Sequence, residues 1–174
     1  LVLNEGDEIV LSILEHHSNI VPWHFHRERR GAVIKWAPID DDGNFLLDEF
    51  EKLLGPRTKI VAITQMSNAL GTIVPVREVI KLAHARGIPV LVDGSQAAVH
   101  MPVDVQALDA DFYVFTGHKT YGPTGIGVLY GKAEHLDRMP PYQGGGEMIN
   151  EVTTESISYN NPPHRFEAGT PAIV

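Results

Sequence analysis

A hydroxyl, an imidazole and an amine stand close together in "FTGHKTYGPTGIGVLY" (Phe115 to Tyr130): Thr116, His118 and Lys119 end a short apolar run and precede a glycine-rich turn. Earlier in the chain, "PVLVDGSQ" ends with Asp93 and Gln96, and "VAITQMSN" ends near Asn68. This set matches the needs of pyridoxal 5'-phosphate (PLP). A lysine amine condenses with the cofactor's aldehyde as a Schiff base. An aspartate keeps the pyridine nitrogen protonated, so that the ring serves as an electron sink. Hydroxyl and imidazole groups beside a glycine-rich turn supply donors for a phosphate. Singly, each residue has a plainer reading: Lys119 as a surface residue, Asp93 as a turn or cap, and Gln96 and Asn68 as loop residues. The joint arrangement carries the cofactor reading.

These side chains act together only if the strands before them are neighbours, because ligands of open α/β sheets gather at the carboxyl ends of strands. The chain alternates strand and helix patterns. "DEIVLSIL", "AVIKWAPI", "TKIVAITQ" and "GIGVLYG" read as strands. "IPVLVDG" and "DFYVFTG" are nearly continuous apolar runs, as expected of strands buried on both faces. "SNIVPWHFHRERRG" reads as a helix stopped by Gly31, and "LLDEFEKLL" as a short amphipathic helix. Pro75 suits a first helical turn; Val76, Val79, Ile80 and Ala83 then recur at helical spacing, and Gly87 suits the stop. From Pro140 to Pro163 the pattern weakens, and "QGGGEM" and "YNNPPH" read as loops. The order predicts an α/β fold, a three-layer α/β/α arrangement around a mostly parallel mixed sheet. No domain boundary is expected inside the chain.

The 174 residues suffice for one domain with a sizeable core. Apolar residues make up 43% and charged residues 21%, and no run is long enough to span a membrane. A net charge of -8 argues against nucleic acid as a partner, and "HRERR" (His26 to Arg30) reads as a solvated helix face. The chain has no cysteine, which removes disulfides, thiolate metal ligands and a cysteine nucleophile from these residues. His17, His24 and His26 invite a metal reading, with His17 and His24 spaced to share a helix face. No HExxH spacing supports it. "GPTGIG" precedes a strand instead of a helix and so is no dinucleotide fingerprint. "DDDG" lacks the alternate-residue spacing of a calcium loop and reads as a turn, and "VREVIKLAHARG" as a core face. The opening on Leu1 and the apolar close in "AGTPAIV" read as a piece of a longer protein.

"TGHK" followed by "YGPTGIG", with "VDGSQA" upstream, resembles the class V aminotransferase family of fold-type I PLP enzymes. "EHHSNIVPW", "SNALGT", "GGGEMI" and "RFEAGTP" bring the resemblance closer, to the group II, SUF-type cysteine desulfurases, over nearly the whole chain. The resemblance implies that Lys119 holds the cofactor covalently and shuttles protons, that Asp93 pairs with the pyridine nitrogen, and that Gln96 bonds the phenolic oxygen. It implies that His16 stacks on the ring and takes part in acid-base steps, that Thr116 and His118 bind phosphate, and that Asn68 helps hold the substrate carboxylate. In the family's homodimer, Thr170 would reach the other subunit's phosphate site, with Gly144 near the same interface. Ser95 stands where the family commonly has Ala, and Thr116 where it often has Ser.

The implied reaction converts L-cysteine to L-alanine and leaves a persulfide on an enzyme cysteine. The sulfur then passes to an acceptor protein of iron–sulfur cluster assembly in the cytoplasm. The family's nucleophilic cysteine and a carboxylate-binding arginine have no counterpart here, and the family's N-terminal segment and C-terminal small domain are absent. Residues 1–174 are therefore expected to be a partial PLP-binding large domain, inactive by itself. Another class V enzyme, such as a selenocysteine lyase or an aminotransferase, and a non-catalytic assembly module are the alternatives.

Overall fold

The computed structural model describes residues 2–171. They divide into two compact units, the first ending at Tyr130 and the second beginning at Gly131. The sequence pattern gives no sign of this division.

The first unit is built on a six-stranded sheet: β1 (Glu8–Ser12), β2 (Val33–Ala37), β3 (Thr58–Thr64), β4 (Val90–Asp93), β5 (Phe112–Thr116) and β6 (Gly127–Gly131), in the spatial order β2-β1-β3-β4-β5-β6. β1 pairs in parallel with β2 and β3, β3 with β4, and β4 with β5. The mostly parallel α/β architecture expected from the alternating pattern is the one observed.

The continuous apolar runs follow from burial on both faces. On one face, Val10, Val61, Ile63, Val90, Val92 and Tyr113 join a core completed by helices α2 (Leu47–Leu53) and α3 (Val76–His84). α3 contributes Val76, Val79, Ile80 and Ala83, the stripe read from the sequence. On the other face, Ile9, Leu11, Ile60 and Ala62 form a second cluster, against which Trp23 of helix α1 (Val21–Arg30) packs. Alternate residues of one strand thus serve two cores, so neither parity is free to be polar.

α1 ends at Gly31, whose φ of 69° is left-handed, as the helix-stop reading requires. None of its residues is buried, which agrees with "HRERR" as a solvated face. The shared helix face expected for His17 and His24 is not observed. His17 lies in a separate one-turn 3-10 helix (His17–Asn19), and α1 begins only at Val21, with a proline in its first turn. "DDDGN" forms the expected turn, in which Asp40 Oδ1 accepts from the amides of Asp42 and Asn44.

Two short helices lie between the later strands, α4 (Ala97–His100) and α5 (Val105–Leu108). At the amino ends of the strands, Glu8 is buried and bonded to Lys35 at 2.7 Å and to Thr58 at 3.2 Å. Burial raises the proton affinity of this carboxyl, but Lys35, Thr58 and Arg57 together outweigh it and hold Glu8 below its usual range.

The second unit contains α6 (Ala133–Arg138) and an antiparallel pair, β7 (Ile149–Val152) and β8 (Ile157–Tyr159). This hairpin falls in the stretch read as loops. Its residues are nearly all exposed, so no alternation of apolar and polar side chains marks it. No helix of the described residues is long and apolar enough to cross a membrane.

Candidate active site

Four adjacent parallel strands, β1, β3, β4 and β5, each carry candidate residues at or just past their carboxyl ends. His16 follows β1, Asn68 follows β3, Asp93 ends β4 with Gln96 just beyond, and Thr116 ends β5 with His118 and Lys119 just beyond. Neighbouring strands lie about 4.8 Å apart, so the set spans roughly 14 Å along one edge. Parallel pairing places all four ends on the same edge of the sheet.

Asp93 is 5% exposed. Its Oδ1 accepts from the Ser95 amide at 2.9 Å, and its Oδ2 accepts no hydrogen bond among the described residues. The backbone around it is pinned: Gln65 N donates to Asp93 O at 2.9 Å, and Gly94 N to Val114 O at 2.8 Å. That oxygen is not sealed from the surroundings, so a cation or donor can reach it and pair with the carboxylate. A protonated ring nitrogen arriving at this edge is such a donor, and to that extent the residues fit PLP.

Beneath this turn lies Tyr113, 2% exposed, whose hydroxyl donates to Gln65 Oε1 at 2.7 Å. Burial, reinforced by the negative charge of Asp93, raises its pKa, so it stays protonated and keeps donating. Gln96 is half-buried and stands at the N-cap position of α4 without a side-chain capping bond.

Past β5, the chain winds tightly on itself. Gly117 N donates to Ile126 O at 2.9 Å, and Gly122 N to Gly117 O at 2.8 Å. Side chains at Gly117 or Gly122 would press on that backbone, with Pro123 O and Gly117 O respectively about 3 Å from an added Cβ. This coil places the one-turn helix Gly117–Lys119 directly at the strand end. Thr116 Oγ1 and His118 Nδ1 are 2.9 Å apart, so the two residues expected at a phosphate act as one unit. Lys119 is half-buried, and its amine makes no hydrogen bond or ion pair among the described residues.

His16 is exposed and caps the 3-10 helix that follows it. Its Nδ1 accepts from Ser18 N at 3.1 Å and lies 2.9 Å from Ser18 Oγ. Because an amide donates into Nδ1, the neutral ring carries its proton on Nε2. His16 and Asn68 share a cleft of about 300 Å³ with Ile13, Glu15, Ser67 and Leu70. Asp93, Gln96, Thr116, His118 and Lys119 stand along the strand edge outside that cleft. In the second unit, Gly144 and Thr170 are exposed. Their neighbours Gly146 and Gly169 are joined by a bond from Gly169 N to Gly146 O at 3.1 Å, which brings the two segments together.

Sequence reading passed over Glu15, the residue before His16. It is buried and accepts from Ser12 Oγ, Thr64 N and Asn19 Nδ2. The Ser12 and Asn19 spacings around it were the available signal. Burial pushes this carboxyl up to about 7 against those hydrogen bonds, and the Asp93 charge adds to the rise. A carboxyl raised in the fold stabilises it fully below its ordinary value of 4.5 and loses that contribution as pH climbs to about 7. The loss is on the order of 3 kcal/mol. The Glu8 carboxyl, held low, acts in the opposite direction as pH falls. Denaturation midpoints of wild type and Glu15→Gln across this window separate the two: the variant lacks the decline toward neutral pH, and parallel curves would refute the assignment.

The class-V aminotransferase family model matches residues 1–174. A probable cysteine desulfurase of Mycolicibacterium paratuberculosis is 59% identical over 168 residues, which cover 97% of this chain and 24% of that protein. The cysteine desulfurase of Dickeya dadantii is 56% identical over 169 residues, 97% of this chain and 41% of that protein. The chain thus spans less than half the length of these relatives. Among solved structures, the cysteine desulfurase CsdA (S-sulfonic acid) from Escherichia coli superposes with a TM-score of 0.94 at 47% identity, over 97% of this chain and 42% of that one. A C-DES mutant with glycine covalently linked to the PLP cofactor superposes with a TM-score of 0.88 at 29% identity, over 98% of this chain and 46% of that one.

Proposed function

The chain belongs to the class-V aminotransferase family, and we propose that it is the central part of the PLP-binding large domain of a cysteine desulfurase. In this reading, the whole protein converts L-cysteine to L-alanine and an enzyme-bound persulfide. It works as a cytoplasmic homodimer that hands sulfur to an acceptor protein of iron–sulfur cluster assembly. The identity to cysteine desulfurases supports the activity. The observation that carries the site is the delivery of His16, Asn68, Asp93, Gln96, Thr116, His118 and Lys119 to one edge by adjacent parallel strands.

Bound PLP would supply an electron sink for the charge left when a proton leaves the substrate's Cα. The residues of the chain do the rest. Asp93, buried and with an oxygen to spare, would hold the ring nitrogen protonated. Lys119, with an unengaged amine, would attach the cofactor and carry the proton to and from Cα. The paired Thr116 and His118 would take the phosphate, with Thr170 reaching the phosphate site of the partner subunit and Gly144 near that interface. Gln96 would bond the phenolic oxygen. His16 would stack on the ring, its Nε2–H directed by the Ser18 cap, and Asn68, in the same cleft, would bind the substrate carboxylate.

The test uses the full-length protein. On adding PLP, a visible absorbance band is expected; borohydride reduction followed by peptide mass spectrometry should place the cofactor on Lys119. L-Cysteine should then yield alanine and persulfide, and the same assay with L-selenocysteine measures the rival selenocysteine lyase reading. A label on another lysine, or no band at all, would overturn the proposal.

A further inference from the structure

The inference rests on reading the strand edge as a PLP site, and it concerns Glu15, which none of the roles above employs. Its Oε1 accepts from Ser12 Oγ at 2.6 Å and from Thr64 N at 2.9 Å, and its Oε2 accepts from Asn19 Nδ2 at 2.7 Å. The end of β1, the 3-10 turn behind His16 and the end of β3 therefore meet on one carboxyl. Asn19 extends the link, its Oδ1 accepting from Trp23 Nε1 of α1 at 3.1 Å. On the opposite side, Thr64 is the register partner of Asp93 on β4, and its hydroxyl lies 3.4 Å from the Asp93 carbonyl.

A continuous path runs from the His16 turn through Asn19, Glu15 and Thr64 to Asp93. It joins the residue expected on the face of the ring to the residue expected at its nitrogen. The carboxyl is 7% exposed and is the acceptor for three buried donors, one of them the Thr64 amide, which an apolar side chain would leave unpaired. Its three donors come from separate segments, which is what a fastening point needs and what mere packing does not. His16 is exposed and its ring bonds only Ser18; its turn is closed by Asn19 N donating to His16 O at 2.8 Å, and the Asn19–Glu15 side-chain bond ties that turn to the strand ends.

We propose that Glu15 is a positioning residue, which fastens the His16-bearing turn to the strand ends beside Asp93 and so sets the orientation in which the cofactor ring is held.

The test compares the full-length, PLP-loaded wild type with Glu15→Ala, Glu15→Gln and Asn19→Ala. Asn19→Ala keeps the carboxyl but cuts its link to the turn. The readouts are the PLP dissociation constant by fluorescence titration and the visible circular dichroism of the bound cofactor, which reports ring orientation in whatever protein is folded and loaded. The dissociation constant is expected to rise about tenfold or more in Glu15→Ala. The dichroic signal per bound cofactor should fall in all three variants, because the ring is then held in a looser orientation. Should Glu15→Ala fail to fold, Asn19→Ala gives the same readout. A wild-type constant and unchanged dichroism in the variants would overturn this proposal alone. A wild type that takes up no PLP would overturn the reading of the site, and this proposal with it.

Discussion

Lys119→Ala in the full-length protein is expected to abolish covalent PLP attachment and, on the proposed function, to lower cysteine turnover by about four orders of magnitude or more, while the fold is kept. The size of the effect follows from two duties resting on one amine. In the proposed reading it would be both the attachment point for the aldehyde and the base that moves the Cα proton, the latter role worth roughly 10²–10⁴-fold by itself. The fold is kept because the amine has no hydrogen bond or ion pair to lose among the described residues, and the coil after β5 is closed by backbone bonds from Gly117 and Gly122. The measurement pairs steady-state alanine production with a thermal melt. A variant that melts with the wild type yet lacks both band and turnover meets the expectation. Turnover within about tenfold of wild type would remove Lys119 from the chemistry.

Gly94→Ala, just past Asp93, is expected to cost about 3 kcal/mol or more, a drop of about a hundredfold in the folded-to-unfolded ratio. A Cβ built on Gly94 overlaps the ring and hydroxyl of Tyr113. Neither side can yield cheaply. Tyr113 is 2% exposed within the larger core, and its hydroxyl is spent on Gln65. Gly94 is held by its N–H to Val114 O and its carbonyl to Ala98 N, both at 2.8 Å. The strain falls on the turn that carries Asp93 and Gln96, so PLP affinity should fall together with stability. Urea denaturation checks the first effect, and Gly146→Ala, where an added Cβ meets nothing within 4 Å, is the control. A double variant with Tyr113→Leu should recover part of the loss, because the two sites share one space. Strict additivity would show that the tyrosine is not the obstacle.

The sequence-based reading located the strands of the first unit to within a few residues, because the two cores demand apolar side chains at consecutive central positions of β1, β3 and β4. It also located the α3 stripe and the Gly31 stop, each a local signal with a local cause. It missed the β7–β8 hairpin, whose exposed residues carry no alternation, and it extended one helix face across His17 and His24 where Pro22 and a 3-10 turn intervene.

Which residue types stand where the strands stop was settled by the sequence alone: Asp93 and Thr116 follow an apolar run directly, Gln96, His118 and Lys119 come within a few residues of one, and side-chain chemistry is a local property. Which strands lie beside one another was not. The order β2-β1-β3-β4-β5-β6 is chosen by burying both sheet faces at once, through contacts far apart in the chain. The same holds for the clamp at Glu15, whose donor on β3 is 49 residues away, and for the close approach at Gly94, where a tyrosine on the next strand fills the space a side chain would need.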